Sequence, residues 1–224
     1  KIFKGVDVVY HLAALSDVVP SIEEPIEYLD TNIMGTVNVL ESMRKNNVKK
    51  IIYAASSSCY GIPKKYPTNE KSEISPMYPY AFSKNIGEQT IKHWSKIYKI
   101  DFISLRLFNV YGTRSRTNSA YGAALGVFLK QKISNHPFTI IGNGKQKRDF
   151  IYISDVVKAF YLSLNKNIKN VILNVGSGKP RSVIEMVNIL EGKKIFIPKR
   201  PGEPDITHAD IREMSSKLKW KPKV

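Results

Sequence analysis

Apolar residues follow two rhythms along the chain. Short unbroken runs, "GVDVVYHLAA" at 5–14, "KKIIYAASS" at 49–57 and "FISLRLFNV" at 102–110, have the length and β-branched content of strands buried on both faces. Between them, "TNIMGTVNVLESMRKNN" at 31–47 and the stretch from Tyr78 to Tyr98 carry apolar residues at helical spacing, as does "AALGVFLKQKI" at 123–133. Strands interleaved with helices predict an α/β fold built on a doubly wound parallel sheet. Beyond residue 113 the rhythm loosens. "FTIIGNGKQKRDFIYISD" predicts short strands around a Gly-Asn-Gly turn, and "GEPDITHAD" predicts a loop. The expected division is a main part over 1–112 and a small C-terminal substrate-binding lobe over 113–224, interwoven with the main sheet.

A nucleotide-binding sheet ordinarily opens with a strand, a glycine-rich turn and a helix whose amino end holds a pyrophosphate. The chain opens at "KIFKGVDVVYHLAA" without that turn. The first βαβ unit is therefore expected to be missing, and the sequence to be an N-terminally truncated piece of a longer protein.

Composition narrows the class. With 42% hydrophobic and 24% charged residues, the chain reads as a folded, soluble one. It lacks both a run long enough for a membrane span and the basic start of a signal peptide, so the cytoplasm is the expected compartment. The lone Cys59 offers neither an internal disulfide nor a metal cluster. The net charge of +16 raises nucleic acid as a partner, but the lysines are spread along the whole chain and no nucleic-acid-binding motif accompanies them. A solvated surface with a general attraction for anions is the expectation, with no nucleic acid and no membrane among the partners.

The candidate chemistry centres on "SPMYPYAFSK". Tyr80 and Lys84 stand four apart, one helical turn, so an ammonium beside the phenol would lower its pKa and make it a general base. That spacing alone is common on ordinary helix faces. Upstream, "IIYAA" runs into "SSSCYG", which places Ser56, Ser57 and Ser58 at the carboxyl end of a parallel strand, where open α/β sheets carry their sites.

Taken together and in order, "HLAA", "TNIMGT", "AASSSCYG", "YPYAFSK", "LRLFNVYG", "RDFIYISD", "NVGSG" and "RPGEPDITHAD" resemble the extended short-chain dehydrogenase/reductase family of nucleotide-sugar epimerases and dehydratases, over essentially the whole chain. The resemblance implies a Rossmann-like, NAD-binding main part and catalysis by Ser56, Tyr80 and Lys84. Tyr80 would take the proton of the sugar 4-hydroxyl, assisted by Ser56, and Lys84 would also bind the ribose of NAD. Related 4,6-dehydratases follow the catalytic hydroxyl with Asp and Glu. Here Ser57 and Ser58 stand in those places, which favours 4-epimerisation of a UDP-sugar, UDP-glucose or UDP-N-acetylglucosamine. A dehydratase or reductase of the same family, or an inactive nucleotide-sugar-binding fragment, remains the alternative.

The resemblance further implies that Leu12, Ala13, Ala14 and Phe108 contact the cofactor, and that Asn32 is a neighbouring structural or cofactor contact. Ser57, Ser58, Asn109, Arg148, Arg200, Glu203 and Thr207 would contact substrate, the arginines through the forked pairing of guanidinium with phosphate. Thr207, smaller than the tyrosine of strict UDP-glucose epimerases, would leave room for an N-acetyl group. A homodimer and a place in polysaccharide biosynthesis are also implied. His11 is expected to be a packed, hydrogen-bonded histidine, and Cys59 to be filler.

Overall fold

Ile51, Ile52, Tyr53, Ala54 and Ala55 are all buried, as residues of a strand covered on both faces must be. The computed structural model describes residues 2–115, 124–165, 167–198 and 204–224. The first half runs β1 (Val8–His11), α1 (Val18–Glu23), α2 (Pro25–Leu29), α3 (Gly35–Lys45), β2 (Lys50–Ser56), α4 (Pro79–Tyr98), β3 (Asp101–Leu107) and β4 (Asn109–Tyr111). The second runs α5 (Ala124–Ile133), β5 (Phe138–Ile141), β6 (Lys147–Arg148), β7 (Phe150–Tyr152), α6 (Ile153–Leu162), β8 (Val171–Val175), β9 (Arg181–Ser182), α7 (Val183–Leu190), β10 (Lys194–Ile197) and α8 (Arg212–Leu218).

The main sheet has the order β1-β2-β3-β8, and its pairs are parallel, with Ile52 opposite Ile103 and Leu105 opposite Leu173. On one face Ile52, Ile103, Leu105 and Leu173 pack against Val156, Ala159 and Phe160 of α6, Met214 and Leu218 of α8, and Trp220. On the other, Ile51, Tyr53 and Phe102 pack against Leu40 and Met43 of α3 and Ile91 of α4. Each fully buried Ile or Leu contributes about 1.5–3 kcal/mol, so these two layers clamp the sheet edges that carry the site. The fold is the expected α/β parallel sheet.

Several local differences have physical causes. Residues 18–29, for which the apolar rhythm predicts no helix, form α1 and α2, broken where Pro25 opens the second. The helix expected over 31–47 begins as a π-turn at Asp30–Met34 and becomes α3 at Gly35. The strands of "FTIIGNGKQKRDFIYISD" exist but pair with distant partners: β5 with β10, β6 with β9 and β7 with β4. Gly142 and Gly144 make the turn with φ of 59° and 72°, where a side chain would be strained. Within "GEPDITHAD", isolated bridges join Ile206 to Lys147 and Ala209 to Thr68, so the expected loop is tied to the lobe.

Residues 113–224 thus serve two bodies. Phe128, Phe138, Ile140, Val183 and Val187 form a small core of their own, while β8, α6 and α8 belong to the main sheet. Among the described residues, no helix is long and apolar enough to cross a membrane.

Candidate active site

β2 ends at Ser56, whose extended backbone turns into a short 3-10 helix, Ser57–Tyr60. The Ser56 hydroxyl caps that turn: Oγ accepts from the Ser58 backbone N–H at 3.2 Å and shares a hydrogen bond with Ser58 Oγ at 2.8 Å. α4 starts with Pro79 at its first position and delivers Tyr80 in the first turn and Lys84 in the next. The Tyr80 phenol lies beside Ser56, whose polar group favours the ionised form. Strand end and helix start therefore bring the two expected hydroxyls together.

The electrostatics differ from expectation. Burial raises the pKa of Tyr80, and the largest opposing influence is the neighbouring Ser56; Tyr28, Asp17 and Cys59 raise it further. The expected lowering by Lys84 is not the leading effect, because the Lys84 ammonium turns to the face of Tyr53, 4.4 Å from its ring centre. With 4% of its surface exposed, Lys84 is itself desolvated, which pushes its pKa down to about 7. The phenol and the amine are each held toward neutrality, a state that proton transfer in either direction can use.

Lys84 also tests whether these residues suit a dinucleotide. Among the described residues its ammonium meets no carboxylate and no hydroxyl acceptor, only the Tyr53 ring. A buried ammonium with unmet donors fits the vicinal hydroxyls of a ribose. At the carboxyl end of β1, Leu12 is 58% exposed and Ala13 is exposed beside it, an apolar ledge suited to lie under a ring or sugar.

Asn32 sets that ledge. Its side chain accepts from Leu15 N–H at 2.8 Å and donates to Leu15 C=O at 3.0 Å and to Ser83 Oγ at 2.9 Å. It is 1% exposed. These bonds tie the Leu12–Leu15 turn to α4, the structural contact that is one of the two expectations for Asn32. His11 is buried, as expected, with Nε2 2.9 Å from Thr36 Oγ1. Because the Thr36 hydroxyl donates to Asn32 C=O at 2.6 Å, Nε2 is the donor to it.

On the substrate side, Phe108 packs with Cys59, Tyr60 and Ala209. Asn109 Oδ1 accepts from the Thr207 hydroxyl at 2.9 Å, and that hydroxyl accepts from Asp149 N–H at 3.0 Å. Thr207 is brought beside Asn109, yet its side chain is latched to its neighbours as well as bordering the site. Arg148 is 8% exposed, donates to Lys147 C=O at 3.0 Å and lies near Tyr66. A cavity of about 380 Å³ opens next to it, lined by Ile141, Lys145, Gln146, Lys147 and Asp205 among others. Arg200 and Glu203 lie outside the described residues. Burial pushes the Cys59 thiol up to about 12, which leaves it unreactive.

The family model for the NAD dependent epimerase/dehydratase family matches residues 1–176. The chain belongs to that family. It is 39% identical to a Methanocaldococcus jannaschii protein provisionally named a UDP-glucose 4-epimerase, with 99% of this chain and 74% of that protein covered. The crystal structure of UDP-glucuronic acid 4-epimerase from Bacillus cereus, a mutant with a fluorinated UDP-sugar and NAD bound, shares 33% identity. The comparison covers 100% of this chain and 72% of that one, with a TM-score of 0.92. UDP-N-acetylglucosamine 4-epimerase from Methanobrevibacter ruminantium, in complex with UDP-N-acetylmuramic acid, superposes with a TM-score of 0.94 at 33% identity, covering 99% of this chain and 73% of that one.

Epimerase/dehydratase motifs led to the residues above but passed over four buried polar groups that hold them. Arg106 and Glu88 form an ion pair at 2.6 Å with both side chains buried. Asp149, wholly buried, accepts hydrogen bonds from Ser177 N–H and Oγ, Gly178 N–H and Ala209 N–H. Asn174 joins Tyr60, Thr68 and Asp210. One signal was present: an arginine inside the apolar run "FISLRLFNV" demands a buried partner.

Proposed function

We propose that the chain catalyses 4-epimerisation of a UDP-sugar, UDP-glucose or UDP-N-acetylglucosamine, with Tyr80 as base, Ser56 as the hydroxyl that shares its proton and Lys84 as the group that positions the ribose. The carrying observation is the nearness of Ser56, at the carboxyl end of β2, to the Tyr80 phenol, with Lys84 buried one helical turn on. Bound NAD supplies a reversible hydride acceptor at the sugar carbon and is not consumed overall. Tyr80 removes the 4-hydroxyl proton and later returns it, while Ser56 hydrogen-bonds the same oxygen. Family membership supports this reading. So does the absence of a carboxylate at Ser57 and Ser58, where eliminating water would require an acid and a base.

Leu12, Ala13 and Ala14 are assigned to the cofactor side, with Phe108 packed behind. Asn109, Arg148 and Thr207 are assigned to the nucleoside diphosphate side with Arg200 and Glu203, and Ser57 and Ser58 to the sugar. The cavity beside Lys147 and Asp205, about 380 Å³, has the volume that a nucleotide portion needs. The division into an NAD-binding part over 1–112 and a substrate lobe over 113–224 belongs to the same reading.

A cytoplasmic homodimer in polysaccharide biosynthesis is part of it too. Exposed Met34 before α3, and Phe82 and Ile97 on α4, give two copies an apolar surface to share. Light scattering at micromolar concentration checks this: a monomer mass would overturn it.

The decisive test is ¹H NMR of UDP-glucose and of UDP-N-acetylglucosamine incubated with the protein and its Tyr80→Phe variant. Interconversion of gluco and galacto forms by the parent, lost in the variant, is expected. A 4-keto-6-deoxy product would instead identify a dehydratase.

A further inference from the structure

Arg106 and Glu88 have side chains only 3% and 2% exposed, between β3 and α4. Arg106 Nη2 meets Glu88 Oε1 at 2.6 Å and Nε meets Oε2 at 3.1 Å, a forked pairing, and Ser104 Oγ donates to the same carboxylate at 2.7 Å. The third nitrogen, Nη1, faces the other way. It donates to Tyr60 Oη at 2.9 Å and to Glu70 C=O at 3.2 Å, while the guanidinium stacks over the Tyr60 ring at 4.9 Å. Tyr60 in turn donates to Asn174 Oδ1 on β8 at 2.7 Å.

The ends of this chain of contacts matter more than its middle. Glu88 follows Lys84 by four residues and Tyr80 by eight, so all three lie along one stripe of α4. Tyr60 closes the short turn that Ser56 opens. Arg106 thus grips the helix bearing the base with one edge and the turn bearing the serine with the other. Stability alone does not account for such a pair, since well-packed apolar residues often replace buried ion pairs at no loss.

We propose that Arg106, anchored by Glu88 and reaching Tyr60, is a positioning residue that fixes the Ser56 hydroxyl against the Tyr80 phenol. The proposal rests on the epimerase reading for its catalytic consequence, but its geometric part is separately measurable. A lysine at 106 would keep a positive charge by Glu88 and lose the fork, hence the simultaneous grip. Phenylalanine at 60 would keep the ring and the ion pair and lose the hydroxyl's two bonds, the one from Arg106 and the one to Asn174.

The test uses the full chain labelled with ¹³Cζ-tyrosine, with Tyr80→Phe identifying the Tyr80 resonance. Asp17, Tyr28, Tyr53 and Cys59 neighbour that phenol, with Lys84 one helical turn on, and neither substitution alters them. In Tyr60→Phe and in Arg106→Lys the ionisation midpoint of Tyr80 is expected to move to higher pH as Ser56 draws away from the phenol. kcat for the UDP-sugar should fall about tenfold or more with KM nearly unchanged, since small misplacements of reacting groups act on turnover. An unmoved Tyr80 midpoint in both variants, with only the melting temperature lowered, overturns the proposal. A parent protein that epimerises neither sugar overturns the functional reading instead, and the Tyr80 midpoints still decide the positioning.

Discussion

The ammonium of Lys84 stands 4.4 Å from the centre of the Tyr53 ring, buried, with no carboxylate beside it among the described residues. Its pKa of about 7 in the folded chain lies below the unpaired value of 10.5. Between those two values the unfolded chain binds more protons, so stability rises with pH across that window, and the full penalty of a buried charge is present below pH 7. Lys84→Met should therefore make the dinucleotide-free protein more stable at pH 7, on the order of a few kcal/mol, with the advantage shrinking toward pH 10. Thermal unfolding across that range checks it. A variant no more stable than the parent at pH 7 would show that the ammonium is better solvated than its surroundings imply.

His11 should govern acid sensitivity. Burial and the nearby Lys84 charge hold its pKa down to about 4, below the ordinary 6.5. The unfolded chain binds the extra proton between those values, so this contribution to stability is intact above pH 6.5 and disappears as pH falls toward 4. The loss is about 2–3 kcal/mol at full extent. His11→Gln, which retains an N–H for Thr36, is expected to flatten the acid limb of a melting-temperature profile over pH 4–7.

Gly87 sets how closely α4 approaches β2. A Cβ at this position would come within 2.5 Å of the Tyr53 hydroxyl, which donates to Lys84 C=O at 3.4 Å and is buried. Alanine ordinarily stabilises a helix by about 1 kcal/mol over glycine. Here the clash outweighs that gain, and Gly87→Ala is expected to destabilise the protein by about 1–3 kcal/mol in urea titrations.

Asp149 organises the substrate-side loops through four donors from residues 177, 178 and 209. Asp149→Asn replaces an acceptor with an amide that turns donors toward other donors. A loss of at least about 3 kcal/mol is expected, measured by denaturant unfolding, because charge-assisted bonds of this kind contribute about 1.5–3 kcal/mol each. UDP-sugar affinity should weaken too, since the Asp149 carboxylate holds Ala209, two residues from the Thr207 hydroxyl that meets Asn109.

The sequence by itself determined the main strands and the long helix from Pro79, and the family resemblance pointed to Ser56 and Tyr80 as parts of one site. Hydrophobic period is local, and a strand end followed by a helix start places side chains predictably. It did not determine what surrounds those groups. Whether Lys84 faces the phenol or the Tyr53 ring depends on how α4 packs on β2, and whether Asn32 touches a cofactor depends on Leu15 and Ser83, 17 and 51 residues away. β8 joins β3 across a long crossover, and Arg106 finds Glu88 and Tyr60 only once helix, strand and turn are assembled. Charge, burial and hydrogen bonding are properties of the assembled neighbourhood, so pKa and positioning were decided by the tertiary structure.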